Sequence, residues 1–86
     1  MSKTSYFTYM VRCSDNTLYT GITTDLARRI EEHNNSYKGA KYTKARRPVS
    51  LVYSEKHSDR SSASKHEYRI KKMSREAKNL LINIRL

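Results

Sequence analysis

Cysteine occurs once in this chain, at Cys13, and that scarcity excludes an intrachain disulfide. It fits a reducing compartment and argues against a small secreted scaffold. With one cysteine and three scattered histidines, the sequence offers too little for a tetrahedral zinc site. Glycine and proline are scarce as well. Gly21, Gly39 and Pro48 are the full set, so each marks a strong break. No apolar run approaches the roughly 20 residues of a membrane span. Met1 to Ser5 also lack the apolar core of a signal peptide. The expectation is a soluble, cytoplasmic protein with no membrane contact.

Acidic residues are in short supply too. Eighteen Lys and Arg stand against eight Asp and Glu, a formal charge of +10 that favours capture of polyanions. Nucleic acid is the leading class of partner, and an anionic membrane surface is its rival. The 86 residues suit one domain spanning 1–86 with a core over about 6–81. A domain of that size buries only about 60–65% of its unfolded surface, so its core must be thin. A monomer is expected.

The apolar residues come in patterned runs. Tyr6 to Cys13 is aromatic and β-branched and reads as a strand. Ser14, Asp15 and Asn16 are turn formers, and Thr17 to Thr23 is a second β-rich run. Together they predict a hairpin in which Cys13 pairs with Thr17 and Tyr9 lies opposite Gly21. Asp25 is placed to cap a helix over Leu26 to Asn35 with Leu26, Ile30 and His33 on one face. Ser36 to Pro48 reads as a basic loop, and Val49 to Glu55 as a third strand in which Val49, Leu51 and Tyr53 alternate with Ser50, Val52 and Ser54. Ser58 or Asp59 can cap a second helix to about Met73. Ser74 can cap a third with Ala77, Leu80, Leu81 and Ile84 as its core face. The predicted fold is α/β in the α+β sense: a small, mostly antiparallel three-stranded sheet packed with helices, in the order β-β-α-β-α-α.

Several residues carry candidate chemistry. Tyr9 and Tyr19 become diagonal neighbours on one face of the hairpin, and Gly21 leaves space beside Tyr9. Ordinary strand packing would also account for two tyrosines there. Arg29 and His33 lie four residues apart on one side of the first helix, where an Arg can clamp a phosphate and a His can move a proton near neutral pH. A solvated Arg and a boundary His are the plainer alternative. On the second helix, Glu67 completes the apolar stripe of Ala63, Ile70 and Met73. A carboxylate aimed at a core needs a cation or donors beside it, so a divalent metal, Arg29 or tyrosine hydroxyls are its expected partners. Lys41, Lys44, Arg46 and Arg47, interleaved with Tyr37 and Tyr42, suit a groove that follows a nucleic-acid backbone. A plain solvated surface is the alternative there.

These residues bear a family resemblance. From about Tyr6 to Leu81 the chain resembles GIY-YIG nuclease domains, above all the short stand-alone bacterial group. Thr8-Tyr9-Met10 resembles the first motif and Tyr19-Thr20-Gly21 the second. Ile22-Thr23-Thr24-Asp25-Leu26-Ala27-Arg28-Arg29 is similar to the stretch that follows in the family. The resemblance implies that Arg29 stands at the family's catalytic arginine, His33 at a position that is His or Tyr, and Glu67 at the single metal-binding glutamate. Asn79 matches a structural asparagine of some members, and Gly21 the glycine of the second motif. Where some members carry a lysine three residues after the second tyrosine, this chain has Ile22.

The resemblance implies a metal-dependent DNA endonuclease, a phosphodiesterase with one Mg2+ or Mn2+ on Glu67 and with Tyr9, Tyr19, Arg29 and His33 as catalytic residues. DNA is the expected partner, with RNA as the alternative. A non-catalytic nucleic-acid-binding module on the same fold, or an adaptor using its charge on a protein partner, are the competing readings.

Overall fold

The computed structural model describes residues 4–84. The hairpin forms as its turn chemistry dictates. Strand β1 (Tyr6–Arg12) runs antiparallel to β2 (Leu18–Thr23), with Tyr9 opposite Gly21 and Val11 opposite Tyr19. Asn16 takes the left-handed conformation (φ 68°) that Asn tolerates better than most residues. Asp15 Oδ1 accepts from the Thr17 backbone N–H at 3.1 Å and from its hydroxyl at 2.6 Å, which closes the turn. The Cys13 N–H donates to Thr17 O at 2.8 Å, as the predicted register requires.

Helix α1 (Leu26–Asn35) starts at Asp25, whose carboxylate accepts the Arg28 N–H at 3.0 Å. The segment expected to be loop contains one helical turn, α2 (Lys41–Lys44). Strand β3 (Ser50–His57) pairs antiparallel with β1, so the sheet order is β2-β1-β3 and both outer strands are edges. Helix α3 (Arg60–Lys71) is capped by Asp59, which accepts the Ser62 N–H at 2.7 Å. Helix α4 (Arg75–Ile84) begins at Ser74, whose hydroxyl accepts the Ala77 N–H at 3.1 Å. The expected β-β-α-β-α-α order therefore holds, with α2 added.

The core is split by the sheet. On one face Tyr9, Val11, Cys13 and Val49 are buried beneath Leu26 and Ile30 of α1. On the other, Met10, Tyr53, Ile70 and Ile82 pack with Val52, Met73 and Leu81 under α3 and α4. Each large apolar side chain so buried contributes about 1.5–3 kcal/mol relative to exposure. Thr8, on the second face, donates its hydroxyl to Ala63 O at 2.9 Å and ties β1 to α3.

Two pattern expectations fail for identifiable reasons. Val49, Leu51 and Tyr53 do not share a face, because β3 is irregular: Met10 pairs with Tyr53 and Val11 with Leu51, so Val52 is an extra residue. That bulge exposes Leu51 and turns Val52 inward. The core face of α4 is Leu81 and Ile82, not Leu80 and Ile84, which stand 63% and 78% exposed. Of the expected stripe, Leu81 packs inward and Ala77 is partly buried, while Ile82 takes the place expected of Leu80 and Ile84.

Candidate active site at the β2 edge

The Tyr9 ring crosses the edge strand. Its hydroxyl would lie 2.7 Å from a Cβ at position 21, and its Cζ 2.9 Å, so Gly21 is there because any larger residue would displace the phenol. The hydroxyl lies 2.7 Å from Nε2 of His33, which is fully buried. His33 Nδ1 is in turn 2.7 Å from Thr43 Oγ1. The Thr43 hydroxyl donates to Ala40 O at 2.9 Å, leaving its oxygen to accept. The network therefore assigns the proton to Nδ1 and the lone pair to Nε2, where it accepts the Tyr9 O–H. A longer contact of 3.4 Å from the Ala40 N–H to Nδ1 would need the other tautomer, and the two 2.7 Å bonds outweigh it.

Burial governs the protons here. Desolvation pushes the Tyr9 hydroxyl up to about 12, partly offset by the Arg29 guanidinium, which acts on it as donor and as charge. Tyr19 and the Glu67 carboxylate act on the same hydroxyl in the opposite sense to Arg29. Burial, reinforced by Arg29, lowers His33 to about 4. At pH 7 both members of the pair are neutral. The expectation of a histidine titrating near neutrality is thereby corrected.

The second tyrosine joins the same face. The Tyr19 ring meets His33 edge-on with centroids 5.4 Å apart and stacks on Tyr42 at 5.9 Å. The Arg46 guanidinium lies 3.8 Å over the Tyr42 ring. Arg29 donates to Glu32 Oε1 and to Lys38 O, both at 2.9 Å. Glu67 is not buried in the core, nor does it pair with Arg29. Its side chain is 23% exposed and meets Lys71 Nζ at 3.1 Å. It reaches the Tyr9 hydroxyl electrostatically from the opposite side of the sheet, because Tyr9 leans over Gly21 to the edge.

The basic loop divides into two kinds of cation. Arg47 donates to the carbonyls of Glu32, His33 and Ser36, so it caps the C-terminus of α1 instead of facing a ligand. Arg46 donates to Asp15 Oδ2 at 3.0 Å and to Tyr42 O. Lys41 and Lys44 are exposed. Asn79 sits half-buried on α4. Thr43, the partner of His33, was missed by sequence reasoning, since nothing in a basic loop marks one threonine as buried.

A tyrosine on an edge hairpin leaning over a glycine, beside an Arg and a His of the next helix, is the arrangement that the paired tyrosine motifs imply. The GIY-YIG catalytic domain family matches residues 5–80, and the chain belongs to that family. Among its relatives are the UPF0213 proteins. One from Desulfotalea psychrophila is 60% identical over 78 residues, which is 91% of this chain and 71% of that one. One from Staphylococcus aureus is 52% identical over 81 residues, 94% of this chain and 98% of its own. The solution structure of a UPF0213 protein from Bacillus halodurans superposes with a TM-score of 0.61 at 40% identity, covering 93% of this chain and 84% of that one. A solution structure from E. faecalis gives 0.65 at 39% identity, covering 96% and 88%.

Proposed function

We propose that the chain is a metal-dependent DNA phosphodiesterase whose active centre is the Tyr9, Tyr19, Arg29, His33 and Glu67 cluster. The observation that carries this reading is the buried Tyr9–His33 hydrogen bond at 2.7 Å with Arg29 and Glu67 both acting on the same hydroxyl. Strand packing alone does not call for a guanidinium, a carboxylate and an imidazole around one phenol.

The chemistry follows from the tautomer. A water attacks phosphorus, forming a new P–O bond as the P–O bond to the leaving sugar oxygen breaks. Tyr9 as its phenolate takes the water proton, His33 Nε2 holds the resulting phenol in place by accepting its hydrogen bond, and the leaving oxygen takes a proton from solvent. With Tyr9 near 12 and His33 near 4, the neutral pair dominates at rest. The phenolate therefore needs positive charge close by. Arg29 supplies one such charge and would steady the negative charge growing on the phosphoryl oxygens. Tyr19 orients the water from the same face. Glu67 is a fitting holder for a hard divalent ion, being a single, partly exposed carboxylate of the kind Mg2+ takes alongside waters and phosphate. Mg2+ or Mn2+ bound there would supply charge against a phosphate oxygen. Lys41 and Lys44 hold the strand.

The second reading, a nucleic-acid-binding module without catalysis, is favoured by one observation. The Lys71 ammonium occupies the Glu67 carboxylate. Incubation of duplex and single-stranded DNA with the protein and Mn2+ separates the two. Cleavage that disappears in Glu67→Ala, with DNA retention preserved, supports the enzyme. Salt-sensitive retention without product in the wild type supports the module and overturns the enzyme.

A further inference from the structure

A second polar centre lies between β3 and α3, and it has the composition of a transition-metal site. Tyr53, Glu55 and His57 alternate along β3, so all three project to the face covered by α3. There they meet His66, which sits next to Glu67 on α3 but points the other way. Glu55, His57 and His66 offer one ligand atom each, all within 4.8 Å of one another. Two of the three histidines scattered in sequence are thus gathered in space beside a carboxylate.

We infer that Glu55, His57 and His66 bind one borderline transition-metal ion, of which Zn2+ is the archetype, and that the ion clips the edge strand β3 to helix α3. Three features carry this. The first is an unexplained atom: Nε2 of His57 is buried and has no hydrogen-bond partner among the described residues. A buried imidazole nitrogen without a partner is costly unless a ligand meets it. The second is spacing. Two imidazoles on one tetrahedral ion with Zn–N of about 2.1 Å put their ring centroids roughly 5 Å apart and their ligand atoms roughly 3.4 Å apart. The rings of His57 and His66 have centroids 5.2 Å apart, and His66 Nε2 lies 3.8 Å from Glu55 Oε1. The third is an outer-shell donor. The Tyr53 hydroxyl, itself buried, donates to Glu55 Oε1 at 2.9 Å and lies 2.8 Å from His66 Nε2. On metal binding the bond to His66 gives way to the ion, and the bond to Glu55 stays to orient the carboxylate.

Two imidazoles and one carboxylate prefer a borderline ion over Mg2+, which takes oxygen ligands in octahedral geometry. The set is that of zinc sites with three protein ligands and one open position. His57 also lines a cavity of about 330 Å3 with Thr4, Ser5, Lys56 and Ser58. The inference stands apart from the nuclease reading, since it uses neither Tyr9 nor Glu67.

The test is a Co2+ titration of the untagged full chain, read by visible absorption, followed by Zn2+ competition and thermal melts. Expected are one ion per chain, a ligand-field spectrum without a thiolate charge-transfer band, displacement by Zn2+ but not by millimolar Mg2+, and a melting temperature raised by roughly 10–20 °C at a hundredfold excess over Kd. His57→Gln and His66→Gln should each weaken binding by at least about tenfold. Glu55→Gln, at a ligand more exposed than His66, makes the same test with less risk to folding. Affinity unchanged in all three variants, a thiolate band implicating Cys13, or no binding below millimolar Co2+ would each overturn the inference.

Discussion

Two tyrosine–histidine pairs lie on opposite faces of the sheet, and they differ in what surrounds them. Tyr9–His33, on the β2 side, has its imidazole fully enclosed, with Arg29 and Glu67 acting on the phenol. Tyr53–His66, on the β3 side, has an imidazole 17% exposed, a carboxylate partner 40% exposed and a second histidine beside it. The same two residue types therefore make two different environments. Enclosure next to a guanidinium favours control of one proton. An imidazole pair with a carboxylate at the surface favours an ion. Consecutive residues of α3, His66 and Glu67, serve the two sides because neighbours on a helix point about 100° apart.

Removing each phenolic hydroxyl is the largest perturbation of that contrast. Tyr9→Phe leaves His33 Nε2 buried without a donor, which costs about 1–3 kcal/mol of stability. If Tyr9 carries the proton, it also lowers DNA cleavage by roughly 10²–10⁴-fold. Tyr53→Phe leaves groups that reach water, so its cost is about 0.5–1.5 kcal/mol with cleavage retained. Urea unfolding and single-turnover cleavage of both variants check the pair. Equal losses in both would erase the distinction between the two sides.

Acid should separate them next. His33 is lowered by burial from 6.5 to about 4, so the unfolded chain binds its proton first. The stability this gives is present above pH 6.5 and is lost as pH falls toward 4. Between pH 7 and 5 the loss is about 2 kcal/mol. Asp15 and Glu32, held low by their hydrogen bonds to Thr17 and Arg29, and Asp59, held low by Ser62, act only below that window. Thermal melts across pH 5 to 7 should show the drop in the wild type and in His66→Gln, and a flattened profile in His33→Gln.

The β2 side was far more legible in the sequence than the β3 side. Tyr9, Gly21 and Tyr19 follow from a period of two and a turn whose residues set the register, and Asp25 sets the phase of Arg29 and His33. Local rules sufficed because each element begins at a side chain that states where it begins. The bulge at Val52 obeys no such rule, since it depends on how β3 meets β1 over a long sequence separation. The burial of His33 depends likewise on Thr43 and on Arg47 capping α1, both from a segment that reads as solvated loop. The third strand was expected to end at Glu55, two residues short of His57, and the meeting with His66 required knowing that α3 lies over β3.

The smallest expected effect bears on which side faces nucleic acid. Lys41 and Lys44 stand exposed on the loop whose Tyr42 stacks on Tyr19, whereas Lys56 lies beside His57 at the far edge. A lysine that neutralises a duplex phosphate adds about 0.9 to the slope of log affinity against log salt. Lys41→Ala and Lys44→Ala should therefore each flatten that slope by about 0.9 and leave stability within about 0.5 kcal/mol of wild type. Lys56→Ala should leave the slope unchanged. Fluorescence anisotropy of a labelled duplex between low and moderate salt resolves a difference of that size. A slope that responds to Lys56 and ignores Lys41 would put the polyanion on the histidine pair instead, and the phenol at the β2 edge would then face no phosphate.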